Sequence, residues 1–331
     1  MVSFGYKKKK QYMQRLFGGS VFMETPKRSS QQFFTSPPEP LFNDKHVGMK
    51  PALLEETLQQ LAKENELNML NMDDECKGVF KNGKRAVFMF LLCKHYKLGY
   101  EDQFVAIELF SRFMSKHVAE LLQHVKETKN TENAIEWSHV EQRIKHQIML
   151  RTVTCAQVAS KVCSHYRIIS LGSAKRFLAS HGFRYAANSI VQSEVRILKT
   201  LNYKVHPPMP LTYVEALLEI VGHNNPSLTV KHFHGICLNV LELYYIQRDA
   251  IYARLKQIAG VTSGQKHRGN TIEKDNMLTG SAIIGAAAYI LDKSSSDQII
   301  DHLSKITEIV NDDILDFSAV LIEQVLANDE E

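Results

Sequence analysis

Two stretches, "TVTCAQVASKVC" (152–163) and "GSAIIGAAAYIL" (280–291), are apolar on almost every side when read as helices. A helix without a polar face has nothing to offer water, so it must lie among other helices. The small residues in both stretches let those neighbours approach closely. Each stretch is flanked in sequence by amphipathic segments. Before the first come "PALLEETLQQLAKENELNML", with Leu54, Leu58, Leu61, Leu67 and Leu70 on one stripe, and "KRAVFMFLLCKHYKLG", with Val87, Phe88, Leu91 and Leu92. "EDQFVAIELFSRFMSKHVAELLQHV" follows, with Phe104, Ile107, Phe110 and Met114 in helical register. After it come "SLGSAKRFLASHG", stopping at Gly182, and "SIVQSEVRILKTLNY", where Ser189 and Gln192 have capping-box spacing.

"HPPMP" (206–210) is a connector that no helix can cross. Beyond it the pattern is again helical: "LTYVEALLEIVG", "TVKHFHGICLNVLELYYIQ", "DAIYARLKQIAG", "DNMLTGSAIIGAAAYILD", "SDQIIDHLSKITEIV" and "DDILDFSAVLIEQVL". No alternating strand pattern occurs. The reading is all-α, one five-helix architecture used twice. The expected segments are a disordered basic tail (1–50), an N-terminal amphipathic helix and linker (51–80), a first five-helix domain (81–206) and a second, divergent one (207–331). A polar insertion over 125–147 interrupts the first.

A chain of 331 residues with 44% hydrophobic and 23% charged content suits two soluble domains. No apolar run reaches the roughly 18 residues that span a bilayer, and the start lacks a signal-peptide core. Five cysteines, an odd number in apolar contexts, point to reduced thiols. Charge is unevenly spread. Residues 1–50 hold nine Lys/Arg against three Asp/Glu; residues 151–210 hold nine against Glu194 alone; residues 270–331 hold three against thirteen. A basic middle beside an acidic end suits a solvated, self-compensating surface, an acidic partner or nucleic acid.

Catalytic chemistry is not requested anywhere. There is no phosphate-cradling Gly-Lys-Ser/Thr loop. Cys93-x-His95 and Cys163-x-His165 are too tightly spaced for one helical metal face, and no second ligand pair follows. We therefore expect no catalytic residues, no metal and no cofactor. Within the apolar run one residue stands out: Lys161 is the only Lys, Arg, Asp or Glu between Arg151 and Arg167. A cation near a helix C-terminus is favoured by the dipole, and a docking partner would also explain it.

The order and spacing of these segments resemble the cyclin family, over about residues 52 to 327. "KRAVFMFLLCKHYKLGYEDQFVAIELFSRFM" is similar to the first two helices of a cyclin box, "ASK" (159–161) to the end of its third, and "SEVRILKTLNYKVHPPMPLTYVEALL" to its fifth and the crossing into a second box. Within the family, "LLEETLQQLAKENE", "LRTVTCAQVASK", "RIIS" and the insertion before Trp137 are similar to the divergent cyclin N-terminal domain-containing branch of meiotic crossover maturation. That resemblance implies a non-enzymatic regulator on meiotic chromosomes in the nucleus, with a cytoplasmic pool allowed. It implies partners among recombination proteins of the MutS/MutL type and a cyclin-dependent kinase, with direct DNA contact by a basic face as the alternative.

In kinase-binding cyclins a lysine ending the third helix and a glutamate in the fifth hold the kinase backbone; by position these are Lys161 and Glu194. The substrate-docking patch corresponds to Lys84, Val87, Phe88, Leu91 and Lys94, and it is degenerate. Lysines replace a methionine and an acidic residue and would repel a basic docking motif. Phe90-Leu91 stand for the family's Asp-Trp, and Ser111 for the aspartate that faces the arginine at Arg85. A cyclin-fold general transcription factor would bring a Cys-x-x-Cys zinc ribbon, which the chain lacks. In the tail, "KKKK" (7–10) fits a nuclear import signal, and Thr25-Pro26-Lys27-Arg28 and Ser36-Pro37 fit proline-directed phosphorylation.

Overall fold

Every residue from Leu150 to Ser160 is buried in the computed structural model, and the fold is most simply described outward from this run. The structure describes Phe42, residues 50–70, 80–128, 136–164, 167–225, 229–260 and 271–329. Thr25, Ser36, the basic run, Cys76 and His165 lie outside them. Eleven helices are found among the described residues, and no strand.

Among the described residues, those from 84 to 205 form one compact unit, and those from 38 to 83 with those from 206 to 331 a second. The first contains α2 (Gly83–His95), α3 (Tyr100–Thr128), α4 (Trp137–Val162), α5 (Leu171–Ser180) and α6 (Ala187–Thr200). The second contains α1 (Pro51–Leu70), α7 (Pro210–Asn224), α8 (Val230–Ile258), α9 (Asn276–Leu291), α10 (Lys293–Thr307) and α11 (Asn311–Asp329). The two small-residue stretches are the central helices α4 and α9, as their lack of a polar face requires.

In α4 the hydroxyls are satisfied within the helix: Thr152 Oγ1 donates to the Ile148 carbonyl (2.8 Å) and Thr154 Oγ1 to that of Leu150 (2.7 Å). Ser160 Oγ donates to the Gln157 carbonyl and accepts from the Ile169 N–H at 3.0 Å, tying the following loop to the core. Arg151, also buried, donates to Ser193 Oγ of α6 at 2.7 Å and to Gln147, with its guanidinium over the Phe113 ring of α3. In α9, Gly280 lies against Tyr213 of α7, where a Cβ would come within 2.9 Å of the tyrosine's own. The helix is capped by Asp275, which accepts from the Leu278 N–H at 2.8 Å.

Several boundaries differ from the sequence expectation. α6 begins at Ala187 with Ala186 at its N-cap, so Ser189 and Gln192 lie inside the helix and form no capping box. α8 runs over both segments expected within 229–260 and is interrupted between them, at Gln247 (φ −102°, ψ 16°), where the sequence divides them. The polar insertion mostly extends the ends of α3 and α4. In α1 only Leu54, Leu61 and Asn65 are buried, while Leu67 and Leu70 face solvent. Asn65 explains α1's seat on the second unit. Its Oδ1 accepts from the N–H groups of Asn276 (2.9 Å) and Met277 (3.3 Å), and its Nδ2 donates to Asp275 at 2.9 Å. Tyr213 adds a bond to the Leu61 carbonyl.

Beside this junction lies a charged cluster. Buried Arg248 of α8 donates to Glu273 (3.0 Å), Lys256 donates to the other oxygen of the same carboxylate (2.6 Å), and the guanidinium lies over Tyr252 at 4.6 Å. Burial alone would push the Glu273 carboxyl up, but Arg248 and Lys256 hold it below its ordinary value.

Candidate functional site: a surface ion pair

The surface at the end of α4 begins where its burial stops. Ser160 is wholly buried, and the next residue, Lys161, is exposed. Midway along α6, the residue after buried Ser193 is Glu194. Because α4 packs on α6, residues 33 apart in sequence meet: Lys161 Nζ donates to Glu194 Oε1 at 2.5 Å. The side chains are 41% and 17% exposed. An ion pair at such a surface contributes at most about 1 kcal/mol to folding, so stability is a weak reason for its presence.

Its hydrogen-bonding capacity is far from used up. An ammonium has three N–H donors and a carboxylate about four acceptor sites. The single bond leaves donors on Lys161 and the second oxygen of Glu194 available to an exposed peptide backbone. Apolar side chains lie next to the pair in the chain and are exposed too: Val162 beside Lys161, Val191 one turn before Glu194, and Ile168 in the loop after α4. A donor and an acceptor set among exposed aliphatic groups can hold a helix terminus or loop of another protein.

The degenerate substrate-docking residues are differently placed. Val87, Phe88 and Leu91 are buried in the core of the first unit, and only Lys84 and Lys94 of the five are exposed. Those apolar side chains pack α2 and offer no apolar opening to a peptide. Ser111, opposite in the family's pattern to Arg85, is buried, and the Arg85 guanidinium lies over the Phe110 ring at 5.6 Å.

Of the nine cations between 151 and 210, seven are exposed (Lys161, Lys175, Arg176, Arg184, Arg196, Lys199 and Lys204). Arg151 is buried, and Arg167 is held by the Lys97 carbonyl at 2.7 Å. Cys93, Cys155 and Cys237 are free, wholly buried thiols, whose pKa burial raises. Among the described residues no helix is long and apolar enough to cross a membrane.

No family model matches the chain. Among curated proteins it is 31% identical to mouse (Mus musculus) cyclin N-terminal domain-containing protein 1 over 282 residues, covering 83% of this chain and 84% of the relative. It is 30% identical to the human (Homo sapiens) protein of that name over 282 residues, covering 83% and 85%. The match takes in most of the chain, and its all-helical structure agrees with it. The chain therefore belongs to the cyclin-like family of cyclin N-terminal domain-containing protein 1.

Proposed function

We propose that this protein is a non-enzymatic regulator of meiotic recombination in the nucleus, promoting maturation of crossover intermediates through protein contacts. In this reading it is the regulatory subunit of a cyclin-dependent kinase and works beside recombination proteins of the MutS/MutL type. The meiotic setting rests on the branch resemblance set out above. The kinase contact is supported by one observation, the Lys161–Glu194 pair with its spare donors and acceptors at an exposed, partly apolar surface. A long cation and a carboxylate gripping a kinase's regulatory helix would bias it toward the active arrangement.

The test is recovery of purified kinase subunits on the full chain. Lys161→Ala with Glu194→Ala is expected to lower recovery and kinase activity at least about tenfold, a loss of about 1.4 kcal/mol, while helical content stays unchanged. Equal recovery with the double variant would sink the kinase contact.

The seven exposed cations of 151–210 favour a second reading, a scaffold that contacts DNA phosphates without a kinase. Its expected result is binding of branched DNA that weakens steeply along a salt series. Absence of binding at low salt removes it.

A further inference from the structure

The last helix carries two apolar stripes, and its own unit uses one. Ile314, Phe317 and Leu321 are buried in the core. Leu315, Ala319, Ile322 and Leu326 recur at intervals of four, three and four residues and form a second stripe. Leu315 is 41% and Leu326 59% exposed, Ala319 is exposed and Ile322 half-buried. Spacing of this kind is the seam of a helix–helix contact, and among the described residues no helix of the second unit covers it.

The second stripe is one wall of a groove of about 340 Å³ bounded by α9, α10 and α11. Tyr289 and Ile300 line the opposite side. Gly285 forms the floor: a Cβ there would lie 2.5 Å from Ser318 Oγ, so the glycine lets α11 lie close over α9. The rim is acidic. Asp297 and Glu323 line it, and Glu323 forms an exposed ion pair with Arg254 at 3.4 Å. Lys293 is the basic residue among the described lining residues, and its ammonium lies over the Tyr289 ring at 5.5 Å. The rim belongs to the segment with three cations against thirteen acids.

We propose that this groove docks a basic amphipathic helix of a partner protein. Aliphatic residues at three- and four-residue spacing would enter between α10 and α11, and Lys or Arg beside them would meet Asp297 and Glu323. Charge decides between occupants. A second copy would bring the same acidic rim against this one, and an anionic membrane surface would be repelled. A basic helix meets both the apolar seam and the carboxylates.

The experiment uses the full chain and a fluorescein-labelled 14-residue peptide with leucines on one helical stripe and lysines elsewhere, read by fluorescence anisotropy at about 0.15 M salt. A matched peptide with glutamates in place of the lysines is the comparison. We expect saturable 1:1 binding of the lysine peptide and binding at least about tenfold weaker for the glutamate peptide. Leu315→Glu with Leu326→Glu, both at exposed positions, should abolish binding without loss of helical content. Asp297→Lys with Glu323→Lys should reverse the preference between the peptides. Equal binding of the lysine peptide to wild type and both groove variants would overturn the proposal, as would no binding at all. So would a dimer in solution that Leu326→Glu dissolves. A chain with Lys7, Lys8, Lys9 and Lys10 changed to Glu that takes the probe more than about tenfold more tightly would place the protein's own tail in the groove, which also overturns it.

Discussion

Glu273→Ala is expected to cost about 3–5 kcal/mol of stability at pH 7, the amount typical of breaking a buried ion pair from one side. The substitution leaves Arg248 buried on α8 with neither oxygen of its carboxylate and leaves Lys256 without its partner. The stacking on Tyr252 and the hydrogen bond with Tyr244 remain, but neither replaces a carboxylate at a buried guanidinium.

The pH dependence has a definite sign. The Glu273 carboxyl is held below its ordinary value, so its contribution is fully present above the unfolded glutamate pKa of about 4.3. It is lost as pH falls through the lower, folded value. Denaturant unfolding should therefore show a wide gap between wild type and variant at neutral pH that narrows in acid. Arg248→Met combined with Glu273→Leu, which removes both charges, should lie much closer to wild type. A Glu273→Ala cost under about 1 kcal/mol at pH 7 would show that the cluster contributes no more than a surface ion pair.

Asn65→Ala is the second large effect, about 2–4 kcal/mol from the second unit. The amide makes three bonds at once, two of them from the first backbone N–H groups of α9, and these have no partner inside the helix. Removing it strands N–H groups in a buried junction, each costing about 1–3 kcal/mol if water cannot reach it. Asn65→Asp keeps an acceptor but puts a carboxylate against Asp275, so it too should destabilise at neutral pH. Hydrogen exchange separates this from general unfolding: the amides of α1 and the first turn of α9 should lose protection first. Protection lost equally throughout the protein would refute a local clasp.

The helices were legible in the sequence because the information is local. An apolar stripe at 3.6-residue spacing, or the lack of any polar face in 152–163 and 280–291, needs no knowledge of neighbours. What was not legible depends on the neighbours. The stripe through Leu54, Leu61, Leu67 and Leu70 looks uniform along α1, yet its last two leucines face solvent and a polar residue, Asn65, takes the buried place. Only the position of α9's N-terminus, more than 200 residues away, makes an asparagine the better choice there. The kink at Gln247 has no proline or glycine to mark it, yet it falls where the helical pattern itself divides into two segments.

The candidate site divides in the same way. Lys161 is conspicuous as a single charge in an apolar run, and Glu194 as the sole acid of its segment. That the two bond to each other is a tertiary fact that no spacing encodes. The apolar positions of the docking patch illustrate the converse: Val87, Phe88 and Leu91 have a surface role in the family pattern and are core residues here. The stripe of α11 that lines the groove was equally invisible, since periodicity does not say which of two stripes has a neighbour.

The unbroken burial from Leu150 to Ser160 has a kinetic and entropic side. The backbone that carries Lys161 is packed by its neighbours up to the residue before it, so the ammonium projects from the end of a closely packed helix. A molecule that grips it does not have to freeze a loop in order to bind. Association must order a single long side chain, a matter of about 2 kcal/mol of rotamer freedom, some of which the bond to Glu194 has already removed. For the kinase contact proposed above, the core of this unit would be a mounting that holds the charge in place.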